Sequence, residues 1–212
     1  MSDRLSRLTA PVTGLLFVGL TLAGAASSTS TPNSDASGAR VIAFYVAHRH
    51  DQRLGDILFV FASLFFVFFA GSLHGYLRRT PAAQGASALV VAGGVLVAVG
   101  LSVVSGIDYA LADVPSQISA AAAQALNVLD NDVFFTVSIG GCVFGLASAV
   151  AILRGARLPN WLGWVAVVIG IAMATPVFWI SGVVLFVWVL IVSTLIYLRS
   201  ASATPVTSSD GG

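Results

Sequence analysis

A run of side chains capable of chemistry lies at residues 45–56, which read YVAHRHDQRLGD. Two histidines, two arginines and two aspartates occur there, in a chain of which only 9% is charged. Imidazole and carboxylate groups can bind a metal ion, exchange a proton or contact a charged ligand. A strongly apolar stretch, ILFVFASLFFVFFAG, follows at once, so the run is expected at one end of a buried helix.

Helical spacing groups part of this run. If residues 41–55 are helical, steps of three and four residues place four side chains on one face, namely Tyr45, His48, Gln52 and Asp56. Arg53 would then reach Asp56, three residues further on. His50 lies roughly 200° round the helix from His48, so the two imidazoles do not converge on one ion. We therefore expect no metal site.

Two interpretations of the run stay open. In the simpler one, it is the hydrated end of the second membrane helix, with charges paired at the water boundary. In the more specific one, the run lines an outward-facing pocket for a proton or a small ligand, together with Asp108 and Tyr109 from the end of the third helix. The candidate ligand-binding residues are then Tyr45, His48, Arg49, Asp56 and Asp108.

The composition indicates that most of the chain's exterior lies in lipid. Of the 212 residues 57% are hydrophobic, and the mean hydropathy is +0.94. The ten basic and nine acidic residues make up 9% of the chain. Soluble domains contain roughly 25% charged residues. No basic stripe occurs, so we expect the lipid bilayer and no nucleic acid as partner. The single cysteine, Cys142, excludes a disulfide within the chain.

Six apolar stretches are predicted to cross the membrane, since about 20 residues span its hydrocarbon core. They cover residues 8–27, 56–77, 86–107, 133–153, 160–176 and 178–198. Thr175-Pro176 and Ser181-Gly182 provide the break between the last two. The predicted fold class is therefore all-α, a polytopic membrane helix bundle with six transmembrane helices in one domain, 1–199.

The remaining segments are assigned by composition. Residues 114–131 are predicted as a short outer helix along the membrane surface, 27–39 as a flexible polar loop and 200–212 as a disordered tail. The first helix has a second interpretation, because a basic start, an apolar core and AGAASS also resemble a cleaved secretory signal.

Arginines sort to one side of the six predicted spans. Seven fall on that side, namely Arg4, Arg7, Arg78, Arg79, Arg154, Arg157 and Arg199. The other side holds three arginines against seven aspartates. Because basic residues accumulate in cytoplasmic loops, both termini are predicted to be cytoplasmic in a bacterial plasma membrane.

Small residues and tryptophans add detail to this topology. Glycines at spacings of roughly four residues allow helices to approach closely inside the bundle, and they are Gly93, Gly94, Gly100, Gly140, Gly141 and Gly145. Trp161 and Trp164 lie where the fifth span would enter the bilayer, as is typical of the interfacial aromatic belt.

Three stretches together resemble a known family. They are FYVAHRHDQRLGDILFVFASLFFVFFAGSLHGYLRR, LPNWLGWVAVVIGIAMATP and WVLIVSTLIYLR. They are similar to uncharacterised six-helix integral membrane proteins common in actinobacteria, over most of residues 41–199. The resemblance implies a fold and a membrane location but no reaction. The matching pattern positions are Tyr45, His48, Arg49, Pro159, Trp161, Gly163 and Trp164.

The sequence contains no phosphate-binding loop, nucleophile elbow or Cys-x-x-Cys motif. It therefore favours a non-enzymatic accessory or structural membrane component, with a protein partner or a homo-oligomer left open. A small transporter or ligand-binding bundle with an outer polar pocket is the alternative. A membrane-embedded enzyme acting on a lipid or quinone comes third, and no cofactor is assigned.

Overall fold

A computed structural model describes residues 3–155, 158–175 and 178–201, with side chains over 11–155, 158–175 and 180–199. These residues form eight α-helices: α1 Asp3–Ser27, α2 Gly38–Ala47, α3 Arg49–Leu77, α4 Gln84–Asp113, α5 Ala120–Val133, α6 Phe135–Leu153, α7 Asn160–Met173 and α8 Phe178–Ala201. No strand occurs among them. The predicted all-α class is confirmed. Arg157, Pro176 and the predicted tail from residue 202 onwards lie outside the described residues.

Six of the helices pack side by side in a closed ring. The order round the ring is α1, α3, α4, α6, α7 and α8, and α8 packs against α1 to close it. Gly93 lies against Phe144 and Gly100 lies against Val137, so α4 and α6 run antiparallel. This is the up-and-down arrangement expected of successive helices joined by short connections.

Aromatic side chains fill the middle of the ring. The Phe17 and Phe66 ring centroids are 4.6 Å apart, and those of Phe66 and Phe144 are 5.1 Å apart. Trp188 meets Phe144 edge-on at 6.0 Å, and its indole Nε1 donates to the carbonyl oxygen of Leu162 at 3.0 Å. Burying such rings is the largest apolar contribution that single side chains make to a core.

Among the described residues, four helical segments are long and apolar enough to cross a membrane. They are Arg49–Leu77, Pro81–Asp113, Ala120–Leu153 and Ile180–Arg199. Pro11–Ser27 and Asn160–Met173 are equally part of the ring but shorter. The fifth predicted span ends earlier than expected, because α7 stops at Met173. Large apolar side chains are exposed on the outer flank of the ring, among them Phe68, Leu89 and Val168.

The helices α2 and α5 form a cap over one end of the ring. They pack on each other and on α4, burying Val41, Tyr45 and Leu111. Gly38 lies so close to the carbonyl of Ala120 that a Cβ atom there would collide with it. The predicted outer helix thus exists as α5, but it is part of this cap. It is followed by α6 after a single-residue break.

The predicted continuous helix over residues 41–55 is wrong. His48 has φ −113° and ψ 19°, so α2 ends at Ala47 and α3 begins at Arg49. The break has a tertiary cause, because α2 turns to bury Val41 and Tyr45 beneath α5 while α3 enters the ring. The four side chains of the predicted polar face therefore belong to two helices and the break between them.

Charge differs between the two ends of the ring. Arg78, Arg79, Arg154 and Arg199 lie at the ends of α3, α6 and α8 away from the cap. The short helical turn Pro81–Ala83 packs against α6. The α3–α4 connection, which carries Arg78 and Arg79, therefore lies close to the end of α6 that carries Arg154. The aspartates at 108, 113, 130 and 132 belong to elements of the cap end. The described part of the chain thus has a basic end and an acidic end.

Backbone contact between α4 and α6 gives a testable prediction. A Cβ at Gly140 would lie 2.5 Å from the backbone nitrogen of Val97, which cannot move without shifting α4. We expect Gly140→Ala to lower the free energy of unfolding by about 1–3 kcal/mol, measured by thermal unfolding in detergent micelles.

Gly71→Ala is the matched control, since a Cβ at Gly71 on α3 meets open space. Alanine's better helix propensity should leave that variant unchanged or stabilised by up to about 1 kcal/mol. Equal unfolding temperatures for the two variants would contradict the close α4–α6 packing.

Candidate ligand-binding site

A cavity of about 340 Å³ lies at the cap end of the ring, beside the loop that joins α1 to α2. Its polar side chains come from α3 and α4, with the loop at one edge, and they include Gln52, Asp56, Ser105 and Asp108. Its apolar side chains are Phe59, Leu101, Val104 and Phe134. Such a mixture of apolar walls and a few convergent polar groups is typical of small-molecule sites.

Tyr45 links α2 of the cap to Asp108 of α4, which lines the cavity. Its hydroxyl donates to Oδ1 of Asp108, and the side chain is only 1% exposed. Burial, reinforced by the negative charge of Asp108, raises the pKa of the Tyr45 phenol above its ordinary range. The phenol therefore remains protonated and keeps its role as a donor.

Three carboxyl groups converge near Tyr45. The charges of Asp130 and Asp56 act on the Tyr45 phenol in the same direction as that of Asp108, raising its pKa further. The three belong to α5, α3 and α4, so they are brought together by the tertiary structure alone. Acidic side chains are thereby concentrated where the cap meets the ring.

Asp56 has an unsatisfied oxygen. The residue is 6% exposed, and its Oδ2 atom is buried without a hydrogen-bond partner. Buried polar atoms are nearly always hydrogen-bonded, so each exception calls for an explanation. Asp56 also lines the cavity, so a molecule bound there is a candidate partner for its carboxyl group.

The loop beside the cavity is anchored by side chains. Gln52, which is buried, donates through Nε2 to the carbonyl oxygen of Thr29 at 2.8 Å. Asn127 of α5, also buried, donates through Nδ2 to the carbonyl oxygen of Asn33 at 2.9 Å. The loop predicted to be flexible is thus held to α3 at one point and to the cap at another.

The neighbouring arginines lie away from the cavity. The Arg53 guanidinium donates to the Tyr109 hydroxyl at 2.8 Å and lies 3.4 Å from the carboxylate of Asp113. Arg49 donates to the backbone carbonyl of Asp113. The predicted pairing of Arg53 with Asp56 is therefore wrong, because the last turn of α4 supplies better-placed partners.

Among the five predicted site residues, the structure brings three together. Tyr45 binds Asp108, and Asp56 and Asp108 line one cavity. His48 lies at the break between α2 and α3, with Nδ1 3.0 Å from the carbonyl oxygen of Phe44. Neither His48 nor Arg49 lines the cavity.

Several site residues were not assigned from the sequence. Ser105 and Phe134 line the cavity, and Asn127 and Asp130 are buried on α5 of the cap. A signal for the last two exists, because two polar residues three positions apart interrupt an alanine-rich helix. Their distance from residues 45–56 along the chain conceals the connection.

Metal chemistry is not indicated by the side-chain arrangement. In the part of the chain that the structure describes, no three His, Cys, Asp or Glu side chains are placed to hold a metal ion. The cavity instead offers carboxylates, an amide, several hydroxyls and aromatic rings. These groups suit a small polar or charged organic molecule.

The fold and the cavity together define an all-α bundle with apolar helices of membrane-crossing length and a cavity at its cap end. The chain matches no family model, no curated protein and no solved structure. The resemblance of residues 41–199 to actinobacterial six-helix proteins therefore stays a prediction.

The raised pKa of Tyr45 can be tested by titration. The unfolded phenol titrates near about pH 10, and the folded one above that value. The stability contributed by protonated Tyr45 is thus fully present below about pH 10 and is lost as the pH rises further. We expect wild type and Tyr45→Phe to show equal tyrosinate absorbance up to about pH 11 while both remain folded. A smaller absorbance in the variant would show that Tyr45 ionises freely.

Proposed function

We propose that this protein crosses a bacterial plasma membrane six times and binds a small molecule in the cavity at its outward end. The observation that carries the proposal is the cavity of about 340 Å³ lined by Asp56 and Asp108, with one Asp56 oxygen buried and unpartnered. A concave pocket with convergent polar groups is the default place for a ligand.

The closed ring supports six crossings. The helices α1 and α7, whose apolar segments Pro11–Ser27 and Asn160–Met173 are shorter, occupy ring positions between long apolar ones, so a bilayer surrounding the ring would surround them too. With 14 residues, α7 is about 21 Å long, a mismatch that local thinning of the bilayer can absorb. Trp161 and Trp164, both exposed at its start, suit the interfacial belt.

The packing of α1 supports its retention in the functional bundle. Phe17 is buried, 4.6 Å from the ring of Phe66 and 5.5 Å from that of Phe186. Removal of α1 as a cleaved signal would open the ring between α3 and α8. The proposal therefore keeps both termini on the cytoplasmic side, with the basic end of the ring facing inwards.

Binding, rather than free passage, suits the interior of the bundle. Phe66 lies ten residues beyond Asp56 on α3, about 15 Å deeper, and it packs with Phe69 and Phe144 in the buried core. This aromatic layer separates the cavity from the basic end. The accessory role and the lipid or quinone enzyme stay predictions, and co-purification of a stable protein partner would favour the former.

The orientation can be tested with single cysteines in a Cys142→Ala background. We expect Ser37→Cys, at the cap end, to react with a membrane-impermeant maleimide in intact cells. Thr80→Cys, between α3 and α4, should react only after permeabilisation. The reverse pattern would contradict the proposed orientation, and labelling of both in intact cells would contradict a crossing by α3.

The cavity can be tested by a second pair of cysteines in the same background. Ser105 lines the cavity, whereas Ser148 is fully buried in α6 and borders no described cavity. We expect neutral methyl methanethiosulfonate to modify Ser105→Cys at least about tenfold faster than Ser148→Cys, because a reagent needs open space beside the thiol. Equal, slow modification of both would overturn the proposed binding role.

A further inference from the structure

The chemistry of the cavity narrows the class of molecule that fits it. We propose that it binds a small monovalent organic cation, an ammonium group carried on a short apolar body, with Asp56 as its main counter-charge. This inference rests on the proposed function of the cavity and adds the sign, size and polarity of the ligand.

The sign of the ligand follows from the distribution of charge. Asp56 and Asp108 both line the cavity, and Asp130 lies close enough to act on the same phenol. Among the described residues, no Arg or His lines the cavity. An anion would meet uncompensated repulsion there, whereas a cation would be attracted in surroundings that screen charge poorly.

The two carboxylates of the cavity have different roles. Oδ1 of Asp108 accepts from the Tyr45 hydroxyl, so this carboxylate already has a strong partner. Asp56 is nine-tenths buried, and its Oδ2 has none. A buried carboxylate without a partner is costly, and an ammonium donor on the ligand removes that cost. Asp56 is therefore the side chain that the cation would contact first.

The nearby arginines cannot take this role without breaking other contacts. Arg53 is held by the Tyr109 hydroxyl at 2.8 Å and lies over the Tyr109 ring, 5.0 Å from its centroid. Its charge is shared with Asp113 at 3.4 Å. These contacts leave no basic side chain of the described residues in the lining of the cavity beside Asp56.

The walls favour an organic cation over a bare ion. Phe59, Phe134 and Leu101 give the cavity an apolar lining, against which the hydrocarbon part of an amine can pack. Aromatic faces also attract ammonium groups. A desolvated metal ion needs several oxygen ligands at once, and no group of three acidic or imidazole side chains is placed to supply them in the described residues.

The test uses charged reagents on Ser105→Cys in the Cys142→Ala background. The rates of thiol modification are measured for a cationic reagent, 2-aminoethyl methanethiosulfonate, and an anionic one, 2-sulfonatoethyl methanethiosulfonate. The cation-to-anion rate ratio at Ser105→Cys is then divided by the same ratio at exposed Ser37→Cys, which corrects for the different reactivities of the two reagents. We expect a normalised preference for the cation of about tenfold or more. Asp56→Asn should reduce it at least about threefold, whereas Asp51→Asn, on the exposed start of α3, should leave it unchanged.

Equilibrium binding is measured in the same variant by protection. Choline and its uncharged isostere 3,3-dimethylbutan-1-ol have the same shape, so only the charge differs. We expect choline to slow modification by the neutral reagent, and the alcohol to have no effect. The proposal that the ligand is a cation would be overturned by equal protection from both compounds, by no protection from choline, or by a normalised rate ratio near one. None of these outcomes would contradict the proposed binding role of the cavity. Failure of the neutral reagent to reach Ser105→Cys would instead overturn the proposed function.

Discussion

The hydrogen bond from Tyr45 to Asp108 joins the cap to the ring, and the arrangement of the candidate site depends on it. It links α2, which lies outside the ring, to the penultimate turn of α4, which belongs to it. Without this link, α2 and α5 would be attached to the ring mainly through apolar contacts around Val41 and Leu111. Because an unpaired buried carboxylate or phenol is costly, the bond also specifies how the cap is seated.

The ring beneath the cap is built on a different principle. In lipid, helices gain little from hiding apolar surface, so their association depends on close packing. Gly93, Gly100 and Gly140 let the backbones of α4 and α6 touch, and Gly145 meets Gly170 between α6 and α7. The apolar side chains that a soluble protein would bury are exposed on the outer flank instead. The predicted packing role of these glycines is confirmed, and it keeps the walls of the cavity in a fixed relation to one another.

Polar groups are divided between two surroundings at the cap end. On the outer side, Arg49 and Arg53 meet Asp113, where both charges remain in contact with water. On the inner side, Asp56 is buried and Asp108 is half-buried, and no basic side chain of the described residues lines the cavity beside them. A purely structural polar layer would be expected to pair its charges, as the outer side does. This asymmetry is the physical basis of the proposed binding role.

The helical class, the apolar character of the ring helices, the glycine spacing that allows close packing and the placement of Tyr45, Asp56 and Asp108 at one end could all be predicted from the amino-acid sequence. These properties follow from composition and from spacing within single helices, which a linear chain already contains. The tertiary structure decided the rest. The break at His48 arises because α2 must turn to meet α5, and the partners of Arg53 come from the end of α4, fifty-six residues away. Asp130 comes near Tyr45 only because α5 packs against α2. Contacts of this kind leave no periodic trace in the sequence, since they depend on how separate helices are placed against one another.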